Sequence, residues 1–345
     1  MLEILLAQRS RRPRSQVQDY LKTIYQSEFG SGHMVGDAAG SLERLRTELA
    51  GCGRAEEAFE EIGGGLARLN LGAMEELGLR AETVNALFVE ASNRPRGSVA
   101  GLEEKLEALR QGAAALGLDA AQVEREIESW RARGYPAPSH WQEYRRAYAP
   151  AYRLVPEAAR RFVRLFAAVD ALLAREGRAR VAIDGNCAAG KSTLGALLAR
   201  VYAGNLYHMD DFFLPPERKT AARLAEPGGN VDRERFAQEV LANLGTAFSY
   251  RPWSCRTGTL QAAVRVQPRA VEIVEGAYSV HPDLAGAYDV RVFLGIGARA
   301  QRERIVRRDG EAMLRRFVQE WIPLENLYFE RLRVRQRCEL VFEVA

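Results

Sequence analysis

The run Gly185-Asn186-Cys187-Ala188-Ala189-Gly190-Lys191-Ser192-Thr193 constrains this chain more than any other stretch. It completes a G-x-x-x-x-G-K-[ST] phosphate loop of the Walker A type. Ahead of it, Arg180-Val181-Ala182-Ile183-Asp184 reads as a short buried strand, and residues 193–201 behind it have helical spacing. Strand, glycine loop and helix in that order make a cradle in which successive main-chain N–H groups converge on phosphate oxygens. Gly185, Asn186, Cys187, Ala188, Ala189, Gly190 and Thr193 are therefore expected to line the phosphates of ATP. Lys191 is expected to reach the β- and γ-phosphates, and the Ser192 hydroxyl to ligate Mg²⁺. Cys187 reads as a small residue that fits the loop; an oxidation-sensitive thiol is the alternative.

A chain of 345 residues predicts two domains. Its 47% hydrophobic and 27% charged residues are those of an ordinary soluble protein. The net charge of +4 is too mild to call for a nucleic-acid partner, which is disfavoured but left open. No apolar run approaches membrane-spanning length, so no membrane partner is expected. Residues 1–6 are a short stretch, and Arg9, Arg11, Arg12 and Arg14 follow it instead of preceding it, an order unlike a secretory signal. Cys52, Cys187, Cys255 and Cys338 are scattered without a CxxC pair, as in a cytoplasmic protein with reduced thiols.

Residues 1–152 read as a mostly helical domain. Ser15 with Gln18 resembles a capping box opening a helix with Val17, Leu21 and Ile24 on one face. Leu102, Leu106 and Leu109 mark a second helix; Asp119 and Gln122 open a third along Val123, Ile127 and Trp130. Glycine-rich breaks fall at residues 30–32, 51–53 and 63–65, and residues 134–138 read as a break before a linker. From 153 to 345 the pattern changes. A helix over 156–174 leads to the first strand; further strands are predicted at 205–209, 271–274, 290–294 and 339–342. Helices are predicted at 232–244, 298–308 and 311–321. This alternation predicts an α/β domain whose parallel sheet carries helices on both faces.

In such a sheet ligands bind beyond the carboxyl ends of the strands. Acidic residues fall there at Asp184, at Asp210 with Asp211, and at Glu275. Phosphoryl transfer needs one carboxylate to take the proton of the attacking hydroxyl and another to serve magnesium. Asp210 is the candidate base and Glu275 the magnesium-side carboxylate; turn capping by Asp210 and Asp211 is the plainer alternative. The arginines of residues 302–316 suit a lid that neutralises phosphate charge when closed. A solvated basic helix face would have the same composition.

Residues from about 178 onward, taken together, resemble the uridine kinase family, within the wider phosphoribulokinase and pantothenate kinase group. The resemblance rests on the loop 185–193, on Asp210-Asp211-Phe212-Phe213, on Glu275-Gly276, and on the R-I-x-R-R-D run Arg304 to Asp309. Pro323, Tyr328-Phe329 and the final strand add to it. It implies Asp210 as catalytic base, with Arg304, Arg307 and Arg308 in the arginine lid. Asp211, Phe213, Tyr250, Tyr278 and His281 are the candidate substrate contacts. The family's nucleoside-reading residues are not matched here, since the surroundings of Tyr250 differ. For His281, capping the turn before Pro282 is the alternative.

The resemblance does not extend to residues 1–150. His33, flanked by glycines, and the aromatic and arginine mixture at 140–146 are the notable features there. The mixture suits stacking on a nucleotide or RNA, or a helix packed on the neighbouring domain. Regulation, dimerisation and completion of the substrate pocket are the roles open to this domain, and a homo-oligomer is left open. The expectation is a cytoplasmic ATP- and Mg²⁺-dependent kinase of a small hydroxylated molecule, most like a uridine kinase. A pantothenate-, sugar- or amino-acid-type acceptor, a nucleoside attached to RNA, or a nucleotide-dependent switch or binding module, are the rivals.

Overall fold

The structure is a computed structural model describing residues 1–32, 36–93 and 97–344. The chain divides into two compact units, Met1–Phe166 and Ala167–Ala345. This places the break later than residue 152. The strand Tyr152–Pro156 pairs with Leu66–Asn70, so it belongs to the first unit.

The first unit is mostly helical, as its apolar periodicity predicts. The three expected stripes meet in one core: Val17, Leu21 and Ile24 pack with Leu102, Leu106 and Leu109 and with Val123, Ile127 and Trp130. The helix Ala120–Ala132 starts as predicted, with the Asp119 carboxylate accepting the Gln122 N–H at 2.7 Å. The capping box before Val17–Phe29 is shifted by one residue. Asp19 accepts the Gln16 N–H at 3.0 Å, whereas Ser15 donates to Arg12 O and Gln18 to Ser139 O.

The sequence did not disclose a three-stranded antiparallel sheet, Phe59–Gly63, Leu66–Asn70 and Tyr152–Pro156. Its middle strand carries Arg68, only 1% exposed, which hides the apolar pattern. The guanidinium is satisfied by Gln26 Oε1 at 2.7 Å and Thr23 Oγ1 at 2.9 Å and lies over the Tyr152 ring. The glycines at 63–65 make the hairpin turn with positive φ throughout. Two of the aromatic rings of 140–146 are spoken for, whereas Trp141 is exposed. His140 bonds Asp19 and stacks on buried Tyr144 at 4.2 Å, both within this unit. His33 lies outside the described residues.

The second unit is α/β. Five parallel strands run in the order Leu340–Val344, Val290–Ile296, Ala179–Gly185, Val271–Glu275, Asn205–His208. The three inner strands are buried along nearly their whole length, as a parallel sheet covered on both faces requires. The first strand in sequence lies in the middle, so the chain order reverses beside it. Such a switch point opens a crevice at the carboxyl ends of the strands. Helix Lys191–Tyr202 packs back on the sheet through Leu194, Leu197 and Leu198. Gly195 permits that approach, for a Cβ there would lie 2.9 Å from Leu206 Cδ1.

Two small antiparallel pairs, Phe248–Tyr250 with Val264–Val266 and Trp253–Ser254 with Thr259–Leu260, were not foreseen, being only two or three residues each. The helix expected over 156–174 is two helices, Glu157–Arg161 and Val163–Glu176. The one expected over 232–244 ends at Glu239. The helices at 298–308 and 311–321 are separated, as expected, at Gly310 (φ 83°, ψ 169°), and a wide turn follows over Phe317–Trp321. Among the described residues, no helix is long and apolar enough to cross a membrane.

Candidate active site

The central strand delivers the phosphate loop to the crevice. Gly185 has φ 130°, and a Cβ there would sit 2.1 Å from Leu294 O on the adjacent strand. Only glycine lets the loop leave the sheet at that point. Gly185→Ala is expected to destabilise the second unit by about 3 kcal/mol, seen as a lower urea midpoint. The loop turns through Ala188 (φ 60°) and Gly190 (φ 96°) into helix Lys191–Tyr202. That helix start presents the unpaired N–H groups which make helix N-termini anion sites. Lys191 folds back along the loop, donating to Gly185 O at 2.8 Å and Asn186 O at 2.9 Å. Its ammonium is therefore already at the cradle.

Four carboxylates surround this loop in different roles. Asp184 is fully buried. It accepts from Gly185 N (2.7 Å), Val280 N (2.9 Å), Tyr278 N (3.2 Å) and the Tyr328 hydroxyl (2.8 Å). It is a fastener beneath the loop, and burial raises its pKa against these donors. Glu275 ends its strand beside Ile183 and His208. One of its oxygens accepts the Ser192 hydroxyl at 3.1 Å and the other meets His208 Nδ1 at 2.5 Å. The hydrogen bond to Glu275 raises the His208 pKa against the opposing effect of burial. Glu325, 6% exposed, accepts the Cys187 N–H at 2.9 Å, and burial raises its pKa.

Asp210 is the fourth. It sits on the short turn Met209–Phe212, anchored by buried Met209 and Phe212. The residue is exposed, yet protein surrounds its carboxylate closely enough that desolvation raises its pKa. Glu275 adds to the rise, while Lys191, His208 and Arg308 oppose it. Its charged surroundings are therefore Lys191, Glu275, His208 and Arg308. Asp211, half-buried, is shifted upward by desolvation first and by Asp210.

The predicted residues are brought together unevenly. Lys191, Ser192, Glu275 and Asp210 converge on the phosphate loop. Arg304 reaches the loop, donating to Ala188 O at 3.2 Å. Arg308 pairs with Asp309 at 2.8 Å, and its charge bears on Asp210. Arg307 is exposed on the same helix. Phe213 is half-buried and bridges Val231.

Three residues expected to touch substrate are core residues instead. Tyr250 stacks on Phe212 at 5.6 Å, and burial pushes its pKa up to about 12. Tyr278 lies edge-on to Tyr328 at 4.9 Å and is 3% exposed. His281 caps helix Pro282–Ala285 by accepting the Asp283 N–H at 3.2 Å, the plainer of its two readings. Aromatic bodies near a site fill the wall behind it when their polar atoms find partners inside.

The Cys187 thiol is buried beside Gln301 and Glu325; burial first and the Glu325 charge next push its pKa up to about 12, against the Gln301 hydrogen bond. A thiol so held is a poor nucleophile, so the small-residue reading stands. His208, Gln301 and Glu325 were missed. Nothing in their local sequence marks them, since each acts by reaching a distant part of the chain.

The residues fit a magnesium triphosphate. Cradle amides, an ammonium and a hydroxyl backed by a carboxylate match what its oxygens and metal require. No group of three or more His, Cys, Asp or Glu suited to a metal occurs among the described residues. Magnesium at phosphates needs only one or two protein groups, because phosphate and water supply the rest.

No protein-family model matches the chain, and no curated protein does. Among solved structures it is similar to "a Possible Uridine Kinase from Bacillus stearothermophilus", at 18% identity over 52% of this chain and 99% of that one, TM-score 0.39. It is also similar to a "putative fructose transport system kinase from Silicibacter sp. TM1040", at 24% identity over 48% of this chain and 89% of that one, TM-score 0.41. At these values the likeness says nothing of substrate or reaction.

Proposed function

We propose that this protein is a magnesium-dependent kinase that transfers the γ-phosphoryl group of ATP to a hydroxyl of a small molecule, with a nucleoside as the first acceptor to test. The observation that carries the reading is the exposed residue Asp210, its carboxylate under the charge of Lys191 and Arg308 beside the phosphate loop. A switch that only hydrolyses nucleotide has less need of a base exposed to an alcohol.

In this reading the loop amides and Lys191 bind the phosphate tail, and Ser192 with Glu275 hold the magnesium ion. When bound there, magnesium would supply positive charge to offset that of the leaving phosphates. Asp210 takes the hydroxyl proton as the acceptor oxygen bonds to the γ-phosphorus. The bond to the bridging oxygen breaks, and ADP leaves with the electron pair. Lys191, Arg304 and Arg308 stabilise charge on the transferring group. Asp211 and Phe213 border the acceptor side.

A coupled ADP-release assay over nucleosides, pantothenate, sugars and amino alcohols tests the proposal. Stimulation by one class is expected, and release unaltered by every class counts against a small-molecule acceptor. Lys191→Ala should weaken MgADP binding about tenfold, a loss of ~1.4 kcal/mol, measured by calorimetric titration. Equal affinity in that variant would remove Lys191 from the phosphate site.

A further inference from the structure

Two buried polar side chains grip the phosphate loop from outside, and the chemistry proposed above uses neither. Glu325 accepts the Cys187 N–H at 2.9 Å. Gln301 Nε2 donates to Cys187 O at 3.1 Å and lies 3.1 Å from the thiol. Each is 6% exposed. Both the amide and the carbonyl of Cys187 are thus engaged by side chains.

The loop needs such outside support. A turn with positive φ at Ala188 and Gly190 has no strand or helix ladder of its own. Its backbone also bonds through Asn186 N to Leu294 O and Ala189 N to Asn186 O, at 3.1 and 3.2 Å, and Gly190 O accepts from Leu194 N at 3.0 Å. A buried carboxylate beside a site for a polyanion is electrostatically unfavourable. Its presence there calls for a role that an acceptor performs. The two gripping residues come from helices Ala298–Arg316 and Ile322–Arg331, one on each side of the Gly310 break and the wide turn Phe317–Trp321. Arg304, on the first of these helices, reaches the next loop residue through Ala188 O.

We propose that Glu325 is a positioning residue of the phosphate loop, holding the cradle in its phosphate-ready shape through the Cys187 amide and, with Gln301, tying that shape to the helices on either side of the Gly310 break. The ligand in this inference rests on the nucleotide reading above, but the grip itself does not. Glu325→Gln keeps an acceptor oxygen and removes the charge. Glu325→Ala removes both, and Glu325→Asp keeps the charge but withdraws it by one methylene.

Two measurements on the full chain test the proposal: calorimetric titration with MgADP, and the rate of Cys187 alkylation by N-ethylmaleimide without nucleotide, located by mass spectrometry. Glu325→Ala and Glu325→Asp should weaken MgADP about tenfold, equivalent to ~1.4 kcal/mol, and expose Cys187 to faster alkylation. Glu325→Gln should stay near the wild type in both, because its carbonyl rescues the amide. Should the alanine variant fail to fold, the aspartate variant decides by the same two readouts. Wild-type affinity and labelling in the folded alanine or aspartate variant overturns the proposal, as does a glutamine variant as weak as alanine. If the wild type itself ignores MgADP, the nucleotide reading fails, and the labelling rates still decide whether Glu325 holds the loop.

Discussion

Asp210→Asn is expected to lower kcat by about 10²- to 10⁴-fold, the range by which a positioned general base accelerates proton transfer. MgADP affinity should stay within about threefold of wild type, because the phosphates are held by the loop and Lys191. The variant keeps the shape of the turn Met209–Phe212, whose anchors are the buried Met209 and Phe212 and not the carboxylate. A loss confined to kcat would thus report chemistry and not folding. The pH dependence gives a second reading of the same group. Desolvation and the nearby Glu275 lift the Asp210 pKa above its ordinary 3.8, and the base must be ionised to act. The acid limb of kcat/KM, which reports the free enzyme, should therefore fall above the ordinary aspartate range. Activity is lost as pH drops through the raised value and returns above it. An asparagine variant that retains turnover, or an acid limb at the value of a free aspartate, would remove Asp210 from this role.

The parts of this arrangement legible in the sequence were those that obey local rules. The phosphate loop is contiguous, its glycines answer to backbone angles, and its helix follows at once. Parallel strands buried on both faces read as apolar runs, which disclosed the sheet and its strand-end acids. The break at Gly310 was legible for the same reason, as glycine interrupts helical spacing. What stayed hidden depends on distant pairing. Arg68 looks like a surface residue until Gln26, Thr23 and Tyr152 are brought to it, and so its strand was missed. Tyr278 and His281 follow Glu275 closely in the sequence, but folding buries them, as it buries Tyr250. Glu325 is indistinguishable from other helical glutamates until it is found under Cys187, far back in the chain.

Asp184 is where fold and site depend on one another most. Its carboxylate accepts four donors: the amides of Gly185, Tyr278 and Val280 and the hydroxyl of Tyr328. Those donors come from the phosphate loop, from the turn after Glu275 and from the helix Ile322–Arg331. One side chain thus binds three separate stretches at the carboxyl end of the central strand. Asp184→Ala leaves these donors buried without an acceptor, and each such group costs about 1–3 kcal/mol. The turn after Glu275 carries an additional demand, for Tyr278 is held at φ 76°, a conformation that needs support from its surroundings. A loss of about 3–5 kcal/mol is expected, as for other buried polar clusters broken by removing one member. Urea unfolding of the full chain, with hydrogen exchange resolving the peptides of Ala167–Ala345 from those of Met1–Phe166, measures it. Because the two units have separate cores, exchange in the first should be little altered while the second opens. Asp184→Asn should fall between the two, since its amide oxygen serves some donors and its NH₂ group opposes the others. A change below about 1 kcal/mol in the alanine variant would mean that water replaces the carboxylate, and Asp184 would then not be what binds the loop to the rest of the site.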